Sequence, residues 1–113
     1  MSQQSISLLT LTKTLTGTVA AHRMVTHAGA QAGADANTLG VARTAGVSGD
    51  KISVDVIGTG IVEAGAAIAD GAQLETDASG RVVTWATSGP VVGRALQAAG
   101  AAGEFIEVLL IPN

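Results

Sequence analysis

The chain has 113 residues, enough for one domain, with a formal net charge of −3 and only 13% charged residues. Ordinary soluble domains carry roughly 25% charged residues, and nucleic-acid binding depends on clustered positive charge, so this composition argues against a nucleic-acid partner. The sequence has no cysteine, which removes disulfides, thiolate chemistry and cysteine-ligated zinc.

The N-terminal residues, MSQQSISLLTLTK, lack the basic region and the following apolar region of a signal peptide. No apolar run approaches the roughly 20 residues of a membrane-spanning helix, so we expect neither secretion by signal peptide nor membrane insertion. The side chains of residues 2–5 carry neither charge nor bulk, and chain ends of this kind are usually mobile. We therefore predict a flexible arm at residues 1–9 and a single β domain at 10–113.

Threonine recurs at every second position from Thr10 to Thr18. This period of two predicts a strand over residues 10–19. The other face of the strand is only half apolar, which suits an edge strand. Such a strand either closes the domain's own sheet or pairs with a partner chain.

The rest of the chain alternates short β-rich runs with turn residues. Residues 28–38 are predicted to form a loop, because they are rich in glycine and end in turn formers. Strands are predicted at 39–43, 51–57 and 105–111. In the second, Ile52, Val54 and Val56 share one face and Lys51, Ser53 and Asp55 share the other, and a bulge or bend is predicted where Ile57 breaks this alternation ahead of Gly58. Turns are predicted at Asp70–Gly71, Asp77–Gly80 and Ser88–Pro90.

Helix is the minor component in this pattern. The best candidate is Val92–Ala102, which is rich in alanine but contains Gly100 and lacks capping residues, so any helix there is short. Turn signals at intervals of about 10 residues, with short strands between them, indicate a mainly β fold. We predict an all-β barrel or sandwich with at most one or two short helices, rather than β-α-β units.

A faint internal repeat is visible at a spacing of 54 residues. Each copy has a turn of small residues, a glycine followed by an acid, and an alternating strand. The matched pairs are Ala45 with Ala99, Gly46 with Gly100, Gly49 with Gly103, Asp50 with Glu104, Ile52 with Ile106, and Val54 with Val108. The repeat predicts two similar turn-and-strand units on one barrel, unless the matches are chance in a chain this rich in alanine and glycine.

No constellation of residues predicts catalysis, a metal site or a cofactor. On a strand, His22 and His27 would point to opposite faces and would share no metal. The glycine-rich run 45–53 misses the phosphate-loop register because Asp50 precedes the lysine, and it is better explained as a turn. The Gly-x-Ser-x-Gly nucleophile motif is absent from the sequence. Trp85 is predicted to anchor packing rather than to stack on a ligand.

The composition itself suits a protein that is covered by neighbours. A surface of Ala, Gly, Ser and Thr with few charges costs little to desolvate. The alternative is that a bias toward Ala and Gly produced this composition without any assembly.

Four segments of the chain resemble the small capsid decoration, or cement, proteins of tailed bacteriophages. They are HRMV at 22–25, LGVART at 39–44, SGDKISVDVIGTGIVEAGAAIADGAQLETDASGRV at 48–82, and VVGRALQAAGAAGEFIEVLLIP at 91–112. The order and spacing of the segments carry the match, and the first 20 residues match least.

The resemblance implies a β-barrel-like or β-tulip subunit that binds the outside of an assembled head, commonly as a trimer, and braces neighbouring capsomers. It implies no catalytic residues and no cofactor. It also implies that an N-terminal arm contacts the major capsid protein and that strand 10–19 continues into or beside a capsid strand. On this chain the contact falls on Ser2, Gln3, Gln4, Ser5, Ile6, Ser7, Leu8, Leu9, Thr10 and Leu11.

Two other functions fit the same composition. A self-assembling tail or fibre subunit would share the low charge and the β pattern. A small β-barrel enzyme or ligand-binding module would instead use His22, His27 or Trp85.

Overall fold

The protein is mainly β, and its strands form one sheet. The computed structural model describes residues 4–86 and 89–113, and within them it has eight strands and no helix. The strands are β1 (Ser7–Thr14), β2 (Met24–Val25), β3 (Gly40–Ala42), β4 (Lys51–Glu63), β5 (Gln73–Thr76), β6 (Val82–Thr84), β7 (Gly93–Ala95) and β8 (Phe105–Leu110).

The sheet is antiparallel and curls into a nearly closed barrel. Its order is β2-β3-β4-β8-β7-β5-β6, and β1 pairs with β4 outside this path. The two ends of the order approach each other where Met24 N donates to the carbonyl oxygen of Gly80 (2.8 Å). The prediction of a small, mainly β, barrel-like domain is therefore confirmed.

Strand β4 is the longest strand and organises the sheet. As predicted, Ile52 and Val54 point into the core. The predicted irregularity is also present: Gly58 has φ 110°, and the pairing with β1 shifts register beside it. The strand does not end at Ile57, however, but continues to Glu63 and pairs there with β8.

Strand β1 lies closer to the N-terminus than predicted, over Ser7–Thr14 instead of 10–19. It ends early because the chain bends at Thr16 and Gly17, where Thr16 N donates to the carbonyl oxygen of Gly29 (3.0 Å). The threonines at 10, 12 and 14 pair with Asp55, Ser53 and Lys51, so they share one face as predicted. Residues 7–9, predicted as arm, are strand residues here, and the mobility of the segment ahead of them stays a prediction.

The helix predicted over Val92–Ala102 is wrong. Gly93–Ala95 forms β7 instead, which pairs with both β5 and β8. Its burial alternates with the period of a strand, because the residues at 93 and 95 are buried and Arg94 is exposed. The packing of a central strand thus overrides the helix preference of the alanines, which amounts to less than about 1 kcal/mol per residue.

The other elements lie close to their predicted places. The strands predicted at 39–43 and 105–111 are present as β3 and β8, and residues 28–38 form a loop. The turn at Asp77–Gly80 joins the paired strands β5 and β6. The turn at Asp70–Gly71 is present, but it does not join two paired strands. Ser88, in the third predicted turn, lies outside the described residues.

The internal repeat is confirmed by hydrogen bonds that recur at matching positions. Leu15 N donates to the carbonyl oxygen of Asp50 (2.8 Å), and Ala64 N donates to that of Glu104 (2.8 Å). Four more backbone hydrogen bonds of the first unit, each from an N–H to a carbonyl oxygen, have a counterpart in the second. Gly49 donates to Leu15 as Gly103 does to Ala64, His22 to Ala42 as Gly71 to Ala95, Leu39 to Val25 as Val92 to Leu74, and Arg43 to Ser53 as Leu96 to Glu107. We call residues 7–57 the first unit and residues 58–110 the second unit.

Two predicted correspondences of the repeat, Ala45 with Ala99 and Gly46 with Gly100, are wrong by one residue. Val19 exchanges hydrogen bonds with Gly46, and Ile68 does so with Ala99. Gly46 therefore corresponds to Ala99 rather than to Gly100. The pairs from Gly49 with Gly103 onward match as predicted, and both glycines have φ 92°.

Each unit has its own apolar cluster, and the clusters match residue by residue. The first cluster contains Leu15, Val19, Val25, Ala42, Ile52 and Val54, and the corresponding residues of the second are Ala64, Ile68, Leu74, Ala95, Ile106 and Val108. The second cluster in addition contains three residues of the first unit, Met24, Ala32 and Val41. These three residues join the two units into one folded body.

A polar seam completes the contact between the units. The guanidinium of Arg23 pairs with the carboxylate of Glu63 (3.2 Å) and donates to the carbonyl oxygen of Ser79 (2.9 Å). The side-chain amide of Gln31 donates to the same carbonyl (2.9 Å). The first unit therefore covers one side of the second unit.

Candidate functional site

The segment that sequence reasoning singled out, residues 2–11, runs from the chain end into β1. Ser2 and Gln3 lie outside the described residues. Ile6 forms two hydrogen bonds with Thr59 of β4, donating its N–H to the threonine hydroxyl (2.9 Å) and accepting the threonine N–H (2.9 Å). Gln4 N donates to the carboxylate of Glu107 on β8 (3.2 Å). The described part of this segment is therefore bound to its own domain.

Gly58 allows the backbone of residues 6–8 to lie close against β4. A Cβ at residue 58 would overlap the carbonyl oxygen of Ile6 and would lie 2.9 Å from Leu8 N. The positive φ of Gly58 also favours glycine. The chain turns here from its path across β4 into the register of β1.

The buried carboxylate of Asp55 binds two residues of the segment, Ser5 and Thr10. Asp55 is only 2% exposed, and its carboxylate accepts hydrogen bonds from the hydroxyls of Thr10 (3.0 Å) and Ser5 (3.4 Å). The guanidinium of Arg43, half exposed on the other side, lies 3.5 Å from the same carboxylate. A buried charge is costly unless it is paired. The carboxylate of Asp55 therefore holds Ser5, Thr10 and Arg43 around it.

Sequence reasoning missed this cluster. It placed Asp55 on a strand face together with Lys51 and Ser53, which are exposed, whereas Asp55 is buried. The face assignment was correct, because Thr10 and Asp55 are register partners. Asp55 is buried because Ser5 and the start of β1 lie over it. No sequence pattern predicts that this segment lies over β4.

The cluster borders a cleft of about 210 Å³. Its lining residues are Ser5, His22, Val41, Ala42, Arg43, Asp55 and Ile61. His22 Nδ1 lies 3.2 Å from the carbonyl oxygen of Ile61, and the imidazole packs edge-on against Phe105 at 5.1 Å between ring centroids. The cleft offers one cation, one carboxylate and one imidazole whose Nδ1 faces a backbone carbonyl.

The other candidate ligand-binding residues do not converge on this cleft. His27 is exposed, with Nε2 3.4 Å from the carbonyl oxygen of Asn113, and both histidines lie in turns rather than on a strand. Trp85 is half-buried outside the apolar clusters, and its indole N–H donates to the carbonyl oxygen of Gly89 (2.7 Å). Among the described residues, no three His, Cys, Asp or Glu side chains are grouped so that they could hold a metal ion.

The exposed apolar side chains of the described residues are concentrated in the same segment. Leu8 is 75% exposed and Ile6 is 52% exposed, and Leu9 and Leu11 are also exposed. Ile57, the register partner of Leu9 on β4, extends this apolar strip. Solvent-exposed apolar strips of this kind mark surfaces that bind other proteins.

Asp50, which interrupts the glycine-rich run 45–53, stabilises a turn. Its carboxylate accepts the N–H of Val47 (2.9 Å), and Asp50 N donates to the carbonyl oxygen of Val47 (3.0 Å). The run then leads directly into β4. The interpretation of this run as a turn is therefore confirmed.

Within the described residues, no helix is long and apolar enough to cross a membrane. Among the described residues, the surface has few charges, an apolar strip and a strand, β1, that pairs only with β4. Small β-barrel domains with such strips and strand edges are a class of protein that commonly binds other proteins through them.

The chain belongs to the phage cement protein family, whose model matches residues 3–110. It is thus a structural protein of the phage head, and the resemblance identified from the sequence is confirmed. Among solved structures, the chain is similar to the N base of the head fiber gp8.5 of bacteriophage phi29. That similarity has a TM-score of 0.76 at 20% sequence identity and covers 91% of this chain and 93% of the other. No curated protein matches the sequence significantly.

Proposed function

We propose that this protein is a capsid decoration subunit, which binds the outside of an assembled phage head as a homotrimer and stabilises the capsid lattice. Membership of the cement protein family supports this role. The structural observation that carries it is the apolar strip of Ile6, Leu8, Leu9, Leu11 and Ile57. The role is one of binding and requires no catalytic residue and no cofactor.

The contact with the major capsid protein is assigned to residues 2–11. In the described part of this segment, Leu8 and Ile6 expose more than half of their surface, and burial of apolar surface contributes roughly 25 cal/mol per Å². Hydrogen bonds donated by Ile6 to Thr59 and by Thr10 to Asp55 hold the segment against its own domain before any partner binds. Less conformational freedom then remains to be lost when the capsid protein binds.

The experiment is to mix the purified protein with undecorated, expanded heads and to image them by electron microscopy. We expect density at regular lattice points on the outer surface, and decorated heads that resist heating better than bare heads. An unrelated β protein of similar size and charge serves as the control. Failure to bind heads under conditions in which the protein is folded would contradict the proposal.

A second candidate function is the base of a fibre that projects from the head. The observation that favours it is the similarity over 93% of the fiber base of phi29. The same images separate the two functions, because a decoration subunit appears as a compact knob and a fibre base carries a projection. Fibres assembled from the purified protein alone would also favour this candidate.

A further inference from the structure

The second unit has a strand edge that the first unit covers. Ala64 N points toward β8, and N–H groups alternate along an antiparallel strand, so the backbone groups of Thr59, Ile61 and Glu63 point away from β8. We call this side the outer edge of β4. Glu63 N donates to the carbonyl oxygen of His22 (3.0 Å), and Thr59 N donates to that of Ile6 (2.9 Å). The N–H groups of Thr59 and Glu63 on this edge are therefore hydrogen-bonded to Ile6, which precedes the first unit, and to His22, which belongs to it.

Within the described residues, the corresponding edge of the first unit is uncovered except at its end, where a Cβ at residue 29 would overlap the carbonyl oxygen of Thr14 and Thr16 N donates to the carbonyl oxygen of Gly29 (3.0 Å). Leu15 corresponds to Ala64, and its N–H points toward Asp50 beside β4, so the backbone groups of Thr10, Thr12 and Thr14 point away from β4. We call this side the outer edge of β1. All three threonines are exposed, and β1 pairs only with β4 among the described strands. Unpaired strand edges readily accept another chain.

The first unit covers the outer edge of β4 with a turn, and the second unit has the same turn. His22 has φ 63° and donates its N–H to Ala42, whereas Gly71 has φ 85° and donates its N–H to Ala95. The turn around His22 lies against the second unit. The turn around Gly71 is exposed, and a Cβ at residue 71 would meet no atom within 4 Å.

We propose that the turn at residues 70–72 of one copy binds the outer edge of β1 in a second copy, with the carbonyl oxygen of Gly71 accepting the N–H of Thr14. This inference rests on the proposed homo-oligomer and names its interface. It repeats between copies the contact that the two units make within one chain. The two binding surfaces differ, so the contact is heterologous, and a closed ring such as a trimer leaves no edge unpaired.

Disulfide trapping tests the interface in a chain that has no cysteine of its own. The positions are Thr14 and Ala72, which correspond to Glu63 and Arg23, the ion pair between the two units. Thr14→Cys and Ala72→Cys are made as separate proteins, mixed, and oxidised mildly. We expect a crosslink in the mixture and none in either protein alone. Val47→Cys replaces Thr14→Cys in the control mixture, because Val47 is exposed in a different turn.

Two outcomes would overturn the interface. A crosslink of Thr14→Cys with itself would show that two β1 edges pair with each other. No crosslink in the mixture, with both proteins folded by thermal unfolding, would exclude the contact. If heads are still decorated in either case, the proposed function stands, and crosslinked rings that ignore heads would overturn the proposed function alone.

A proline variant tests the hydrogen bond itself. Thr14→Pro removes an N–H that points away from β4, and proline is tolerated at strand edges of this kind. We expect it to lower the association constant of the contact, measured by sedimentation, at least about tenfold, because loss of a buried hydrogen bond and a steric clash exceed 1.4 kcal/mol. Thr14→Val retains the N–H and should assemble normally. Equal assembly of both variants would contradict the proposal.

Discussion

Ile52 and Ile106 occupy the same position in the two units, each pointing into a different apolar cluster from the strand that follows the repeated turn. Both are nearly completely buried. Because the second cluster includes Met24, Ala32 and Val41 of the first unit, the two positions contribute to one folded body.

Ile52→Ala and Ile106→Ala should each lower the free energy of unfolding by about 2–5 kcal/mol, since each leaves a cavity in a core of small side chains. Urea denaturation measures the loss. Both variants should unfold in a single transition, and Val47→Ala on the surface should change the free energy by less than about 0.5 kcal/mol. Two separate transitions would show that the units fold independently.

Gly58→Ala should destabilise the protein by at least about 2 kcal/mol, because a Cβ there overlaps the carbonyl oxygen of Ile6 and the φ of 110° is strained for alanine. Gly17→Ala is the matched control, since a Cβ at residue 17 meets no atom within 4 Å. The control should be neutral or slightly stabilising in thermal unfolding. Equal stability of the two variants would contradict the described crossing of β1 over β4.

Asp55→Ala should lower the free energy of unfolding by about 1–3 kcal/mol, because the donors on Thr10, Ser5 and Arg43 lose their shared acceptor. It should also loosen the segment ahead of β1. Amide hydrogen exchange checks this second effect, with faster exchange expected at Thr59, whose N–H is bonded to Ile6. Asp70→Ala, at an exposed turn, should leave the exchange at Thr59 unchanged.

Leu8→Ser combined with Leu11→Ser should weaken attachment to heads at least about tenfold while changing the thermal midpoint little, because both side chains are exposed in the free protein. Cosedimentation with expanded heads gives the affinity. Val47→Ser combined with Leu96→Ser removes two exposed apolar side chains elsewhere and should bind normally. Unchanged binding by the first variant would show that the side chains of Leu8 and Leu11 make no contact with the capsid.

Salt should affect head attachment little, because the strip contains no charged residue and screening acts on charge pairs. Between about 50 mM and about 500 mM NaCl we expect less than a threefold change in the dissociation constant. A loss of attachment over this range would show that charged groups, such as Arg43 or Glu107, dominate the contact.

The sequence alone predicts those strands whose side chains alternate clearly. β8 and the first half of β4 were predicted in this way, whereas the repeat was predicted from matching residues at a spacing of 54. Strand β7 was missed because its alternation is made of Gly93 and Ala95, two residues whose preferences favour other structures. Strand β2 was missed because two residues are too few for any period to be visible.

Only part of the candidate site could be predicted from the sequence. Residues 2–11 were identified through a family resemblance, and their exposed apolar side chains agree with a contact role that remains a proposal. Asp55 and the cleft beside it depend on Ser5 crossing a strand fifty residues away in the chain. No local pattern records such a contact, because it is set by the register of β1 on β4.

Strand β4 runs without interruption through both units, so its backbone serves the first cluster at one end and the second cluster at the other. The two units are consequently joined by the covalent backbone of one strand as well as by the core contacts of Met24, Ala32 and Val41. We expect a load applied to one unit to pass into the other through both connections, so that the two units resist mechanical strain together.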